Sequence, residues 1–329
     1  MRFRKVFKKL MTLSLATVTI ASLAMGAQSL AQQGDSSSST ANTLKISPLR
    51  TDLSADPGET KTVKITVTNP SSSEVSVKPI QNDFIADDTE DGSPAIILDE
   101  NQYAEKNSLK RFMQPIESFN IPAGETVTVE ATIAVPENAE AGGYFGAVRF
   151  APTSPDGGGQ VNTSPSVASL ILLRVNGEVT ERLELTDFQV RQAGKATNYL
   201  TSTNDISVLT RFKNNSKVQL APFGMISVKK GNEVVHQADF NKKDQLDTIL
   251  PDSARRWNVN LGNIEGFGRY EVTAVFTYGQ NNQTLEATQV FWVIPMPMII
   301  TVAAILLLLA IVVVYLISRR RGGKSKLSM

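Results

Sequence analysis

The chain contains no cysteine and a single histidine among its 329 residues, and both shortages exclude particular kinds of bond and metal site. Without thiols it forms no disulfide, so its folded regions depend on hydrophobic burial alone. A zinc site built from His and Cys ligands is excluded by count. The lone His236 stands in a Val-Val-His-Gln run beside a predicted hairpin, where a solvent-facing strand residue is the simplest interpretation.

Motifs for covalent catalysis and phosphate binding are also missing. There is no Gly-x-Ser-x-Gly elbow, and the glycine triplet at 157–159 is followed by Gln160 and not by a Lys-Ser/Thr helix start. The sequence therefore predicts a protein that is not an enzyme, with no catalytic residue, no metal site and no cofactor. It leaves the binding residues unknown.

Acidic residues leave two alternatives open. The run from Asp87 to Gly92 (DDTEDG) places oxygen ligands at alternate positions before a glycine, as calcium loops do, but the twelfth position is Leu98 where such loops have Glu. The competing interpretation is a solvated loop that protects the end of a sheet. A carboxylate pair of the kind glycosidases use is not marked by any feature of the sequence.

The two ends of the chain predict a membrane topology. Residues 293–317 are apolar and uncharged, long enough for one helical span of a ~30 Å hydrocarbon core. The tail, residues 318–329, carries five basic residues and is expected to stay in the cytoplasm. Residues 1–31 read as a signal peptide with cleavage after Ala31. Residues 32–43 form a polar, flexible leader.

The charge of the part between these ends differs from that of the whole chain. The chain carries +1, but five basic residues lie in each terminal segment, which leaves 23 basic against 32 acidic residues and a net charge of −9. A region of this sign repels nucleic acid, which is excluded as an electrostatically recruited partner.

The region between the ends reads as short strands separated by turns. An alternating run through Ile65, turn residues such as Asn69-Pro70, and a Gly231-Asn232 hairpin are typical of β-sandwiches. We predict an all-β fold with two Ig-like β-sandwich domains in tandem, residues 44–178 and 179–292, followed by the transmembrane helix.

Internal echoes indicate that the two domains are related. Thr68-Asn69-Pro70-Ser71 resembles Lys213-Asn214-Asn215-Ser216, each at the end of a predicted strand. Gly143-Tyr144 resembles Arg269-Tyr270, and a Tyr in that place either forms a corner with the preceding loop or is a core aromatic.

This arrangement resembles the WxL-interacting cell-surface proteins of Gram-positive-type bacteria. The resemblance is carried by five short stretches along the mature chain: Ile46-Ser47-Pro48, Pro57-Gly58, Thr68-Asn69-Pro70, residues 141–150 (AGGYFGAVRF) and Leu250-Pro251-Asp252 before Gly268-Arg269-Tyr270. It implies a peptidoglycan-binding domain followed by a host- or partner-binding domain.

The function predicted on this basis is a non-catalytic adhesin or scaffold, anchored in the cell membrane by one span. Its partner would be cell-wall peptidoglycan or a surface or host protein, recognised by the outer domain through the loops 86–94 and 151–166. Two alternatives stay open: an accessory, chaperone-like factor that assembles a surface polymer or protein by strand donation, and a carbohydrate-active hydrolase on an Ig scaffold. An exposed apolar strand edge would favour the accessory factor, and a cleft with converging carboxylates would favour the hydrolase.

Overall fold

A computed structural model of the protein describes residues 44–153, 166–264 and 266–322, all within one compact unit, Ala41–Met329. The predicted signal peptide, the predicted leader and the end of the basic tail lie outside the described residues. So does most of the predicted loop 151–166, of which strand β8 occupies the first three residues.

The first half of the described chain, residues 44–175, forms the N-terminal β region. It contains nine strands and one 3₁₀ turn, Lys110–Phe112. The strands are β1 (Lys45–Ser47), β2 (Arg50–Ala55), β3 (Thr60–Thr68), β4 (Val75–Ala86), β5 (Pro94–Ile96), β6 (Phe119–Ile121), β7 (Thr126–Ala134), β8 (Gly142–Thr153) and β9 (Val167–Val175).

The second half, residues 183–293, forms the C-terminal β region, and a helix follows it. The strands are β10 (Leu183–Gln192), β11 (Lys195–Ala196), β12 (Tyr199–Leu200), β13 (Ile206–Asn214), β14 (Phe223–Lys230), β15 (Glu233–Phe240), β16 (Ala254–Gly262), β17 (Gly268–Tyr278) and β18 (Gln283–Val293). The helix is α1 (Met296–Gly322).

Each region pairs its strands into two sheets. In the N-terminal region these are sheet 1, in the order β1-β3-β7, and sheet 2, in the order β2-β9-β8-β4-β5 with β6 also on β4. In the C-terminal region they are sheet 3, β11-β10-β13-β16, and sheet 4, β12-β18-β17-β14-β15. Neighbouring strands are antiparallel except for β2 with β9 and β12 with β18. The fold is therefore β-sandwich-like with one C-terminal apolar helix, as the alternating sequence pattern predicted.

Alternation along the strands builds a separate core in each region. In β3, Val63, Ile65 and Val67 point inward while the intervening threonines and lysine are exposed or half-buried, because successive side chains of a strand face opposite sides. The N-terminal core centres on Ile65, Phe150 and Leu173. The C-terminal core centres on Phe212 and Phe276, whose rings meet edge to face at 5.0 Å.

The predicted repeat between the two halves is present in atomic detail. Asn69 and Asn214 are both buried, and each donates its amide to two or more main-chain carbonyls. Each accepts the hydroxyl of the serine two residues later, Ser71 or Ser216, at 2.6 Å. The same local network thus ends β3 in one region and β13 in the other.

Helix α1 begins and ends later than the predicted span. Val293, predicted as the first residue of the helix, is instead the last residue of β18, where it pairs with Gly268 and Leu200. The helix starts at Met296, after Pro295, whose carbonyl accepts the amide of Met298. It continues to Gly322 through the arginines predicted to lie in the tail, since arginine is a good helix former.

Candidate functional site: a free strand edge and the joint between the β regions

Strand β15 presents an unpaired edge at the end of sheet 4. Its inner side pairs with β14 from Gly224 opposite Phe240 to Lys230 opposite Glu233, with a register shift that leaves Val235 without a partner in β14. On its outer side no strand pairs with it among the described residues. Two apolar side chains of this strand are exposed, Val234 by 45% and Val235 by 42%. An edge of this length with apolar side chains is a template for pairing with another chain.

The outer face of sheet 4 carries a second group of exposed apolar side chains, separated from Val234 along β14 by Ser227 and Lys229. Met225, Ser227 and Lys229 alternate onto that face of β14, and Val234 lies opposite Lys229. Met225 in turn lies opposite Val275 of β17, and both are more than 40% exposed. Phe223 is exposed at the end of β14. We call Phe223, Met225, Val275, Val234 and Val235 the apolar edge surface.

Two other edges of the described sheets, those of β7 and β16, are protected. Strand β7 ends sheet 1, and its exposed residues are the polar Thr126, Thr128 and Glu130. The amide of Gln114 donates to the carbonyl of Thr132 and so covers one end of β7. Charged and polar side chains are the usual protection of a strand edge against pairing. Exposed valines therefore distinguish β15 from these edges.

The edge of β16 is occupied by the loop that the sequence offered as a calcium site. The backbone amide of Arg256 donates to the carbonyl of Glu90 at 2.7 Å. The Glu90 carboxylate accepts two hydrogen bonds from Arg211, one of them at 2.8 Å, and lies 3.1 Å from the Arg256 side chain. These hydrogen bonds from Arg211 lower the pKa of Glu90 below its ordinary value. The loop at 86–94, which the sequence offered for recognition, is thus fastened to the C-terminal region through Glu90.

No cation site forms at this loop within the part of the chain that the structure describes. Asp87 and Asp91 each accept a nearby backbone amide, from Thr89 and Ser93, and Glu90 is held by arginines. Across the described residues, no group of three or more His, Asp or Glu side chains is placed to hold a metal ion. The carboxylates of the loop serve turns and ion pairs.

Further contacts complete the interface between the N-terminal and C-terminal β regions, which we call the joint. Arg50 donates to the carbonyl of Leu246 at 3.0 Å, and Lys106 pairs with Asp252 at 3.1 Å. The amide of Gly143 donates to the carbonyl of Lys217 at 2.8 Å. A small apolar cluster on sheet 2, built from Phe84, Phe145, Ala147 and Leu172, packs against Leu250 of the C-terminal region.

The connection between the regions is itself held in place. Glu181 is buried and pairs with Arg174 at 2.7 Å, while its second oxygen accepts the amide of Gln280 at 2.8 Å. A buried carboxylate needs such partners, because an unpaired charge in the interior is costly. The carboxylate therefore ties the end of sheet 2 to a turn of sheet 4.

A groove of about 130 Å³ lies in the joint, and its charges are already paired. Asp247 lies 2.6 Å from Lys243 and 3.4 Å from Arg255. Burial raises the pKa of Asp247, but the hydrogen bond from Lys243 and the charge of Arg255 outweigh it, so the pKa is lowered. A general acid needs a pKa near the working pH, so this carboxylate is a poor acid at neutral pH. Asp87, the other carboxylate in the lining of the groove, accepts the backbone amide of Thr89 at 2.8 Å.

Three residues considered in the sequence take part in packing or hydrogen bonding within the β regions. The hydroxyl of Tyr144 donates to the carbonyl of Glu140 at 2.9 Å, so Tyr144 forms the corner, and its burial raises its pKa. Trp257 packs edge to face on Phe212 and Phe240. His236 is half-buried in β15.

The sequence indicated the β14–β15 hairpin but missed that β15 ends a sheet, because the order of strands in a sheet does not follow from the local sequence pattern.

Comparisons with known proteins contradict the predicted family. No family model matches the chain, and no curated protein does. Solved structures that resemble it are instead fimbrial chaperones, so the predicted membership in the WxL-interacting family is wrong.

Three of these structures illustrate the likeness. The class 5 fimbriae chaperone CfaA is 15% identical over 76% of this chain and 99% of that one, with a TM-score of 0.38. The CsuC–CsuE chaperone–tip subunit complex of Acinetobacter baumannii gives 12% identity, 74% and 97% coverage, and a TM-score of 0.35. The Salmonella enterica SafA pilin complex with the SafB chaperone gives 11% identity over 76% of this chain and 95% of that one, with a TM-score of 0.31.

The names of these proteins match the accessory, chaperone-like alternative better than the adhesin or scaffold given as the main prediction. Nothing among them points to peptidoglycan binding. With TM-scores below 0.5, these structures are only distantly similar to this chain.

Proposed function

We propose that the protein is a non-catalytic, chaperone-like accessory factor that binds an extended segment of a surface protein by adding it as a strand to β15. The observation that carries the proposal is the unpaired edge of β15 with Val234 and Val235 exposed on it. Backbone groups of an open edge supply affinity for any extended segment, and neighbouring side chains select its sequence.

The apolar edge surface indicates what kind of segment fits. A strand added beside β15 would alternate its side chains across sheet 4, so every second residue would lie on the outer face. That face already carries Met225 and Val275 next to Phe223. The preferred partner is therefore an extended segment that alternates apolar and polar residues, as in a surface protein that has not yet completed its own sheet.

The joint gives this edge a rigid base. Glu90, Arg211 and Arg256 connect the regions through charge-assisted hydrogen bonds, and Glu181 holds the connection between them. We assign the two regions to two Ig-like domains, residues 44–178 and 179–292. The separate hydrophobic cores and the repeated Asn69 and Asn214 networks support that assignment.

The proposal includes a membrane anchor. Helix α1 is the one described helix long and apolar enough to cross a membrane, and residues 296–317 would cover about 33 Å at 1.5 Å per residue. Its apolar side chains are exposed throughout that stretch. Together with the basic residues that follow, this supports a single-pass protein whose β regions lie outside the cell membrane.

Peptide binding by the purified full chain tests the strand-addition proposal. We expect a fluorescent ten-residue peptide of alternating valine and threonine to bind, and a peptide of the same composition with its valines in one block to bind more weakly. Val234→Lys with Val235→Lys should weaken binding about tenfold, since each cross-strand apolar contact contributes about 0.2–1 kcal/mol and the edge gains charge. Fluorescence anisotropy provides the affinity.

The matched control places the same two charges on another edge strand, through Thr126→Lys with Thr128→Lys on β7. That variant should bind the alternating peptide as the unsubstituted protein does. Equal loss in both variants would show that added charge acts at a distance. Unchanged affinity in the β15 variant would refute β15 as the binding edge.

A further inference from the structure

The junction between β18 and α1 leaves no free linker. The backbone amide of Trp292 donates to the carbonyl of Asn198 at 2.7 Å, and that of Ile294 donates to Leu200 at 2.8 Å. The amide of Met296, the first residue of the helix, donates to the carbonyl of Thr201 at 2.9 Å. The C-terminal region is therefore hydrogen-bonded up to the start of the helix.

Three exposed aromatic side chains lie at this same end of sheet 4. Tyr199 pairs with Trp292 across parallel strands, and they are 66% and 42% exposed. Phe267 comes directly before β17, whose first residue, Gly268, pairs with Val293, and it is 59% exposed. Since Val293 and Leu200 face the core, Trp292 and Tyr199 face outward.

Two cationic side chains accompany these aromatics. Arg269 lies opposite Trp292 on β17, with its side chain half exposed and 3.6 Å from the carboxylate of Glu271. The Nζ atom of Lys230 lies 5.8 Å from the centre of the Phe267 ring. Tryptophan and tyrosine are enriched where a protein meets lipid headgroups, and nearby cations attract anionic lipid phosphates.

We propose that Tyr199, Phe267 and Trp292, with Lys230 and Arg269, form a lipid-docking surface that rests in the headgroup layer around α1. The proposal rests on the proposed membrane span. Trp292 lies four residues before the helix, at most about 14 Å along an extended chain, and the headgroup layer is about 5–7 Å thick on each side. Docking there fixes the orientation of both β regions above the membrane.

The absence of cysteine makes this surface straightforward to probe, because one introduced thiol is the only labelling site. Spin labels placed through Tyr199→Cys or Phe267→Cys in the full chain, reconstituted in phosphatidylcholine–phosphatidylglycerol vesicles, would report their depth from accessibility to oxygen and to a water-soluble nickel chelate. We expect both labels at headgroup depth. Thr284→Cys, exposed at the opposite end of β18, should remain in water.

A label placed through Leu307→Cys in the middle of α1 separates the two proposals. If this label lies in the hydrocarbon while those at positions 199 and 267 are as accessible to nickel as the one at position 284, the docking surface is wrong and the span stands. If the label at position 307 is in water, the span itself is wrong and the docking surface falls with it.

Lipid charge gives a second readout. Raising the phosphatidylglycerol fraction should deepen the label at position 199, and Lys230→Gln with Arg269→Gln should abolish that response. Lys242→Gln with Lys243→Gln removes the same charge beyond the far end of β15 and should leave the response intact. Equal responses from the two double variants would contradict the assigned role of Lys230 and Arg269.

Discussion

Glu90 shows how one side chain can decide the arrangement of two β regions. Its carboxylate is bound by Arg211 and Arg256, and its backbone carbonyl completes the edge of β16. A charge-assisted, two-pronged contact to arginine is geometrically specific, so it fixes orientation as well as adding stability. The acidic run that suggested calcium thus supplies a clasp between regions.

Replacing this carboxylate should loosen the clasp in a pH-dependent way. Because the folded-state pKa of Glu90 is lowered, the ion pair contributes fully at neutral pH and is lost as the pH falls below the ordinary glutamate value of 4.5 toward the lowered one. Glu90→Gln should therefore cost about 1 kcal/mol of unfolding free energy at neutral pH, and less in acid. Urea titrations at both pH values provide the measurement.

Glu100→Gln is the control, since Glu100 forms an exposed pair with Lys78 within a single region. It should change stability little at either pH. An equal loss in the two variants would mean that the clasp contributes no more than a surface ion pair.

The two asparagines show a second property of single residues. Each uses its side-chain amide to satisfy buried main-chain carbonyls, as Asn214 does for Val218 and Ile249. A buried carbonyl without a partner would cost about 1–3 kcal/mol, so these side chains stabilise the turns that end their strands. Their repetition in both regions explains why the short sequence echoes were informative.

At the scale of elements, sheet 4 depends on the close approach of β14 and β17. An ideal Cβ at Gly224 would lie 2.0 Å from the carbonyl oxygen of Val275, so only glycine fits there without moving a strand. This approach supports the face that carries Met225 and Val275. Packing of the sheet and the proposed binding surface are therefore coupled.

Gly224→Ala should destabilise the protein by about 1–3 kcal/mol, because the added methyl group pushes β14 away from β17. Thermal and urea unfolding would show the loss. Ser227→Ala, on the same strand, keeps a small side chain and should leave stability nearly unchanged. A Gly224→Ala variant as stable as the unsubstituted protein would contradict the close contact.

Strand β15 differs from the other edges because of its own residues and its place in the sheet. Polar edges such as β7 discourage pairing, while a loop of the other region covers part of β16. An apolar edge that remained open would favour aggregation, so its retention is consistent with a binding role. If β15 serves binding, substitution of Val234 and Val235 should weaken peptide binding and leave folding unchanged.

At the scale of the whole molecule, the proposed topology puts both β regions on one side of the membrane. Protease added to intact cells should remove residues 44–292 and leave a small membrane-bound fragment that contains α1. The expectation follows from the uncharged helix and the basic residues after it. Immunoblotting with an epitope at the C-terminus would detect the fragment. Full protection of the β regions until the cells are permeabilised would contradict this topology.

The rigid junction adds a constraint at the same scale. Because Met296 is hydrogen-bonded to Thr201, tilting of the helix moves the C-terminal region with it, and the joint at Glu90 carries the N-terminal region along. The β15 edge would thus be held at a set orientation to the membrane surface.

Local pattern determined much of this architecture. Alternation placed β3, since a strand with one buried face needs apolar residues at every second position, and the Gly231-Asn232 turn placed the β14–β15 hairpin. The asparagine echo predicted two related modules, and an uncharged run predicted one long helix. Strand β10 was missed because a register shift between Leu185 and Asp187 interrupts its alternation. Strand β16 was overlooked although Trp257, Val259 and Leu261 alternate there with exposed polar residues.

Only the tertiary structure decided which strand ends a sheet, what the loop at 86–94 contacts and where the helix begins. Sheet order depends on pairings between residues far apart in sequence, such as Met225 with Val275, which local alternation does not encode. The partners of Glu90 lie more than a hundred residues away. Val293 is apolar enough for a membrane, yet it joins β18 because Gly268 and Leu200 offer it strand neighbours.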